Sequence, residues 1–271
     1  MASLPESESF PSPRRVQRVR HEIVRRQLKV LKVEDISPSF RRVTLGGDEL
    51  AGFVSASFDD HLKFITDPGT DTQAMRDYTP RHHDPVANEL VLEFVRHGDG
   101  PAATWAEKAQ VGQTATIAGP RGSTVVPTDF AWHLLVGDAT ALPAIARRLE
   151  ELPAGCRAIA IISVPQVEDR RALSSRADLD LTWVDGNDAL VAAVRALALP
   201  AGEGYAWCAG EGHASALLRS VLVEEKGHDR YAITAASYWK QATKPNEAGK
   251  LFAPCPSSSP SPASAANTPT A

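Results

Sequence analysis

Short apolar runs broken by turns fill the first half of the chain, and apolar strands alternating with amphipathic helices fill the second. Between Leu28 and about Ala118, runs at residues 42–45, 61–65, 90–95 and 114–117 are rich in Val, Leu, Ile, Phe and Thr. Gly46-Gly47, Asp67-Pro68-Gly69 and Gly119-Pro120 separate them, residues suited to turn conformations. Several short strands at this spacing predict a small antiparallel barrel. From Trp132 onward the pattern changes. Residues 133–136, 158–162, 179–184 and 205–208 read as buried strands, and 141–152, 188–197 and about 213–226 as helices. That alternation predicts a parallel sheet with helices on its faces, an architecture that binds ligands at the carboxyl ends of its strands. The boundary falls near residues 123–129, giving a β domain over 16–127 and an α/β domain over 128–243.

Composition limits what lies outside that frame. Residues 1–15 are Ser/Pro-rich and acidic, and residues 244–271 are dominated by Pro, Ser, Ala and Thr; both are expected to be disordered tails, too poor in apolar surface to offset their ordering entropy. The chain has 271 residues, 43% of them hydrophobic, enough for a substantial core. No apolar run approaches the roughly 20 residues of a membrane-spanning helix, so no membrane insertion is expected. The start lacks the apolar stretch of a secretory signal, which predicts a cytoplasmic protein. Cys156, Cys208 and Cys255 are odd in number and widely spaced, arguing against a disulfide framework or a zinc site. A formal charge of −4 and a pI near 6.1 argue against nucleic-acid binding. The basic stretch over residues 14–32 is the local exception; it reads either as an arm for an anionic surface or as a packed segment whose charges stay solvated.

Arg76-Asp77-Tyr78-Thr79-Pro80-Arg81 is the most informative peptide. On a strand, Arg76 and Tyr78 share one face and Asp77 and Thr79 the other. A flavin needs an aromatic surface, a hydroxyl near its N5/O4 edge and positive charge for its pyrophosphate, and this peptide carries all three. An ordinary barrel strand is the competing reading. After the run ending at Val95 comes His97-Gly98-Asp99-Gly100-Pro101-Ala102-Ala103-Thr104, where glycines allow close backbone approach and Pro101 suits the first turn of a helix. The free amides of such a helix start suit a phosphate, although a plain strand-to-helix turn explains the pattern too. In the second half, Asp138 or Thr140 is expected to cap the helix after the first strand, with a dinucleotide phosphate at its start. Gly210-Glu211-Gly212 repeats the strand–glycine–helix arrangement and reads equally as a loop facing a nicotinamide or as a plain structural turn. Cys208 reads as a small buried strand residue. Neither a Gly-x-Ser-x-Gly nucleophile elbow nor a Gly-x-x-x-x-Gly-Lys phosphate loop occurs.

These motifs, together with Val43-Thr44-Leu45-Gly46-Gly47-Asp48-Glu49-Leu50, Asp59-Asp60-His61-Leu62-Lys63, Thr140-Ala141-Leu142-Pro143 and Tyr238-Trp239-Lys240, resemble the siderophore-interacting proteins, FAD-dependent ferric-siderophore reductases. The resemblance runs from about Arg18 to Lys240. It implies a fold like that of ferredoxin–NADP reductases, with an FAD-binding barrel followed by a nicotinamide-binding α/β domain. It also implies that Tyr78 packs on the isoalloxazine, that Thr79 meets its N5/O4 edge, and that Arg76 with the amides of Ala102, Ala103 and Thr104 holds the pyrophosphate. His97 and Gly98 would line the ribityl path, with Asp77 and Pro101 beside the flavin; Asp138, Thr140 and Glu211 would attend NAD(P)H, NADPH being the expected donor. Lys63, Arg121 and Lys240 would form a basic rim that attracts an anionic ferric siderophore. A ferredoxin as electron donor, a diaphorase with another acceptor, and a non-enzymatic siderophore-binding protein are the alternatives. The chain departs from the family's pattern at Ala103, where Ser is usual, and at Ala139, Ser163 and residues 236–242.

Overall fold

The computed structural model describes residues 15–96 and 100–241. The two expected tails, apart from Arg15, and the expected contacts of His97 and Gly98 lie outside the described residues. The first half forms a seven-stranded antiparallel sheet in the order β5-β4-β8-β2-β3-β7-β6. Its strands are β2 (Arg25–Ser37), β3 (Phe40–Gly46), β4 (Leu62–Thr66), β5 (Ala74–Tyr78), β6 (His82–Asp84), β7 (Glu89–Val95) and β8 (Thr114–Ala118). β5 and β6 are edges that do not pair with each other, so the expected barrel is open along one side. A separate ladder joins β1 (Gln17–Arg20) to β9 (Gly122–Val125).

Alternation explains the basic stretch near the start. Along β2, Arg26, Leu28 and Val30 are buried while Arg25, Gln27 and Lys29 are exposed. Arg25, Lys29 and Lys32 thus decorate the outside of a strand whose other face is core, while Arg18 and Arg20 are exposed on β1. The interior is filled by Leu28, Leu45, Leu62, Phe64, Leu92 and Phe94, closed at one end by Ala102 and Ala106 of helix α1 (Pro101–Lys108).

The second half is a five-stranded parallel sheet in the order β12-β11-β10-β13-β14. It comprises β10 (Trp132–Gly137), β11 (Arg157–Ser163), β12 (Asp178–Val184), β13 (Gly204–Glu211) and β14 (Ile233–Trp239), with helices α2 (Leu142–Glu151), α3 (Gly186–Ala196) and α4 (Gly212–Ser220). The helix expected at about 213–226 stops at Ser220 and continues as a π-helical turn over Val221–Glu225. No described helix is long and apolar enough to cross a membrane.

The halves share one hydrophobic cluster, in which Phe40, Phe58 and Val95 meet Ile145, Leu149 and Trp207. Polar bonds reinforce it. Arg147 of α2 donates to the Ser55 hydroxyl (2.7 Å), the Ser55 carbonyl (3.0 Å) and the Pro80 carbonyl (2.9 Å). Asp169, fully buried in the loop after β11, accepts from the Ser37 hydroxyl (2.7 Å) and the Ser39 amide (2.9 Å).

Candidate active site

Edge strand β5 is held by β4 in a register that sets Leu62 opposite Tyr78, Lys63 opposite Asp77 and Phe64 opposite Arg76. Because side chains alternate, Arg76 and Tyr78 share a face, as the sequence predicts, while Asp77 and Lys63 share the other. Tyr78 is fixed by an aromatic bed: its ring lies 4.3 Å from Phe94 and edge-on to Phe64 at 5.8 Å, and Phe64 in turn meets Trp105 of α1 at 4.6 Å. Burial pushes the Tyr78 phenol far above its ordinary pKa, with Arg76 opposing in part, so Tyr78 stays neutral.

Beside this strand lies a cleft of about 960 Å³, lined by Arg76, Asp77, Tyr78 and Thr79 from one side and by Gly100, Ala102 and Ala103 from another. Helix α1 starts at Pro101 with glycine as its N-cap, so no capping side chain comes from that position. The first helical bond runs from the Thr104 amide to the Gly100 carbonyl at 2.9 Å. The amides of Ala102 and Ala103 precede that bond, and both residues line the cleft. A guanidinium, an aromatic face and helix-start amides around one cleft fit a flavin dinucleotide. Thr104 departs from the expected set: it is exposed, absent from the lining, and its amide is already bonded within the helix.

A second cleft, of about 990 Å³, lies at the carboxyl ends of the parallel strands. Its wall is Asp138, Ala139 and Thr140 after β10, Ser163 to Pro165 at the end of β11, and Asp185 to Asn187 after β12. Parallel sheets bind nucleotides at this edge, where helix starts and strand ends converge. Val95, Thr140 and Trp239 line both clefts and form their common wall.

Asp138 does not cap α2, nor does Thr140. The helix begins at Leu142 after Ala141, without a side-chain cap. The Asp138 carboxylate is instead occupied on both oxygens. Oδ1 accepts from the Thr140 amide (2.8 Å) and hydroxyl (2.5 Å), and Oδ2 accepts from the Glu211 amide and the Trp239 indole, both at 2.8 Å. With four donors, its lone pairs are used up, and Asp138 acts as a brace between β10, β13 and β14. Gly210 makes room for it: a Cβ there would stand 2.4 Å from the Asp138 carboxylate, at a φ of 140°. Glu211 is likewise internal. It caps α4 by accepting from the Ala214 amide at 2.9 Å, and it lines neither cleft. Cys208 is fully buried, its thiol pushed up to about 12 by burial, which leaves it inert.

The expected basic rim lies off the clefts. Lys63 pairs with Asp77 at 2.8 Å on the face away from Tyr78, Arg121 is exposed beside β9, and Lys240 is exposed just after β14. Conversely, Glu93, which the sequence does not single out, and Tyr238 and Trp239, which it marks as a motif without a site role, all line the first cleft. Tyr238 sits beside Thr79 and edge-on to Trp207. Glu93 is fully buried, 2.6 Å from Arg42 and 3.7 Å from Arg81, and also bonded to Arg171. The Tyr-Trp pair at the end of an apolar strand was a readable signal. Glu93 gave none, because its arginines come from distant segments.

Comparison with known proteins agrees with this geometry. A family model for the siderophore-interacting FAD-binding domain matches residues 29–74 and 65–124, and one for siderophore-interacting protein matches residues 130–242. The chain is 37% identical over 250 residues to the NADPH-dependent ferric-chelate reductase of Escherichia coli K12, covering 84% of this chain and 98% of that one. It is 30% identical over 242 residues to the ferric vibriobactin reductase ViuB of Vibrio cholerae, covering 80% and 89%. Among solved structures, a siderophore utilization protein from T. fusca superposes with a TM-score of 0.77 at 31% identity, covering 84% of this chain and 97% of that one. The siderophore-interacting protein SipS from Aeromonas hydrophila gives 0.73 at 32%, covering 85% and 95%. A flavohemoglobin from Malassezia yamatoensis shares the fold at 14% identity, with a TM-score of 0.62 over 82% of this chain and 62% of that one.

Proposed function

Since the chain belongs to the siderophore-interacting protein family, we propose that it is a ferric-siderophore reductase that uses FAD in the first cleft and NADPH in the second. The observation that carries this reading is the wall of Val95, Thr140 and Trp239 common to both clefts, which brings the two ligands together. In this reading residues 16–127 hold the flavin and residues 128–243 the nicotinamide. Tyr78 offers the ring a neutral aromatic face, Thr79 a hydroxyl, and Arg76 with the Ala102 and Ala103 amides a seat for the pyrophosphate. Thr140, at the turn into α2, serves the donor's phosphates. Asp138 and Glu211 act behind it as positioning residues, holding the loops that line the second cleft.

Bound FAD supplies the conversion between a two-electron donor and the one-electron reduction of iron(III). Reduction frees the metal, because the hard oxygen ligands of a siderophore hold iron(II) less firmly than iron(III). Exposed Lys63, Arg121 and Lys240 steer the anionic chelate toward the protein rather than gripping it. The reaction belongs in the cytoplasm on this reading, and a reduced ferredoxin is the competing donor.

The test uses the full chain loaded with FAD under anaerobic conditions. NADPH is expected to bleach the flavin, and a ferric siderophore then to yield iron(II) trapped by ferrozine. Bleaching by reduced ferredoxin but not by NADPH would move the donor. Bleaching without iron(II) from any of a panel of catecholate, hydroxamate and carboxylate siderophores would sink the reductase assignment.

A further inference from the structure

Among the described residues no lysine or arginine lines the second cleft, and of the two carboxylates that do, Asp138 is saturated by donors of the chain. The other, Asp185, stands at the mouth with a side chain 86% exposed. It occupies the position before α3 yet makes no capping bond. Its carboxylate instead accepts from Arg170, Nη2 to Oδ1 at 2.6 Å, from the loop that follows β11. The ends of β11 and β12 are tied beside this pair, the Gly186 amide donating to the Ser163 hydroxyl at 2.9 Å.

A carboxylate beside a bound ribose accepts from its 2′-hydroxyl and repels a 2′-phosphate, and a guanidinium there does the reverse. Here both are present and bound to each other. Their ion pair is open to water, where screening and side-chain entropy leave little net attraction. A guanidinium on a phosphate makes shorter, paired, charge-assisted bonds, so a 2′-phosphate can draw Arg170 away from Asp185.

We infer that Arg170 and Asp185 are the donor-selecting pair of the second cleft, Arg170 recognising the 2′-phosphate of NADPH and Asp185 favouring the 2′-hydroxyl of NADH. The inference rests on the nicotinamide reading of that cleft and adds which side chains choose between the two donors. Calorimetric titration of the FAD-loaded chain with NADP+ and NAD+, and with 2′-AMP and 5′-AMP, tests it without turnover. Arg170→Ala is expected to weaken NADP+ and 2′-AMP about tenfold or more while leaving NAD+ and 5′-AMP within about threefold. Asp185→Asn is expected to shift the ratio the other way, tightening NADP+ severalfold. Equal losses for both nucleotides in Arg170→Ala, or unchanged affinities in both variants, overturn the pair. Selective 2′-AMP binding through Arg170 in a protein whose flavin NADPH leaves oxidised keeps the pair and sinks the donor reading. A wild-type chain that binds none of the four nucleotides overturns both.

Discussion

Four donors on one carboxylate make Asp138 the most constrained polar residue near the clefts. Removing it strands them in a mostly buried place, so Asp138→Ala should cost on the order of 3 kcal/mol of folding stability. Urea unfolding measures the loss, and Trp239 emission should shift as its indole loses its acceptor; a variant as stable as wild type would show that the brace contributes nothing. Arg76 is different in kind, exposed and, among the described residues, bonded only to the neighbouring Met75 carbonyl at 2.9 Å. Arg76→Ala should fold normally and bind FAD more weakly by about 1.5–3 kcal/mol, as for loss of a hydrogen bond to a charged group. Unchanged flavin affinity in a fluorescence titration would remove Arg76 from the pyrophosphate site. Both residues stood out in the sequence. The partners of Asp138 did not, since Glu211 and Trp239 lie 73 and 101 positions away.

Among the elements, those with a strong internal pattern were legible and those defined by their neighbours were not. β7 and β10 are apolar runs and α2 buries a full stripe, so each declares itself locally. β1, β5 and β6 are short and largely exposed, and only pairing with β9, β4 and β7 makes them strands. Helix α1 yields a prediction whose signs separate fold from function. An added carboxylate in its first turn complements the helix dipole but repels a phosphate. Ala103→Asp should therefore leave stability unchanged or raise it by about 0.3–1 kcal/mol. The same variant should bind FAD about tenfold more weakly or worse. Thermal melts and flavin titrations report the two effects independently, and equal FAD affinity would mean that this helix start does not meet the phosphates.

For the molecule as a whole, acid is the informative perturbation. Burial, with Arg148 adding to it, pushes fully buried His133 down to about 4 from its ordinary 6.5. The unfolded chain then binds the proton that the folded chain refuses, so stability falls as pH drops from 6.5 toward 4, by at most about 1.4 kcal/mol per pH unit. Glu93 acts lower on the scale. Burial alone would raise its carboxyl, but Arg171 and Arg42 more than offset that and hold it below the ordinary 4.5. Its contribution is complete above that value and is lost as pH falls through the depressed one. Urea unfolding across pH should show both limbs, with His133→Gln flattening the upper and Glu93→Gln the lower. An upper limb unchanged in His133→Gln would assign that slope to other groups. Because Glu93 joins β3 and β7 to the loop carrying Arg171, the lower limb also reports the seam between the two halves.

By itself, the sequence determined the class of fold and the order of its halves and singled out the peptide at residues 76–79, because periodicity, turn residues and a strand-borne Arg-x-Tyr-Thr are local properties. Arg76, Tyr78 and Thr79, at the end of β5, and Ala102 and Ala103, in the first turn of α1, do line one cleft. Tertiary structure alone decided that Asp138 and Glu211 brace the loops, that Lys63 faces away from Tyr78, and that Glu93 belongs to the cleft. The physical reason is the same in each case. Which face of a sheet a side chain takes, and which distant donor satisfies a buried carboxylate, depend on strand register and on the docking of the two halves, neither of which a local pattern encodes.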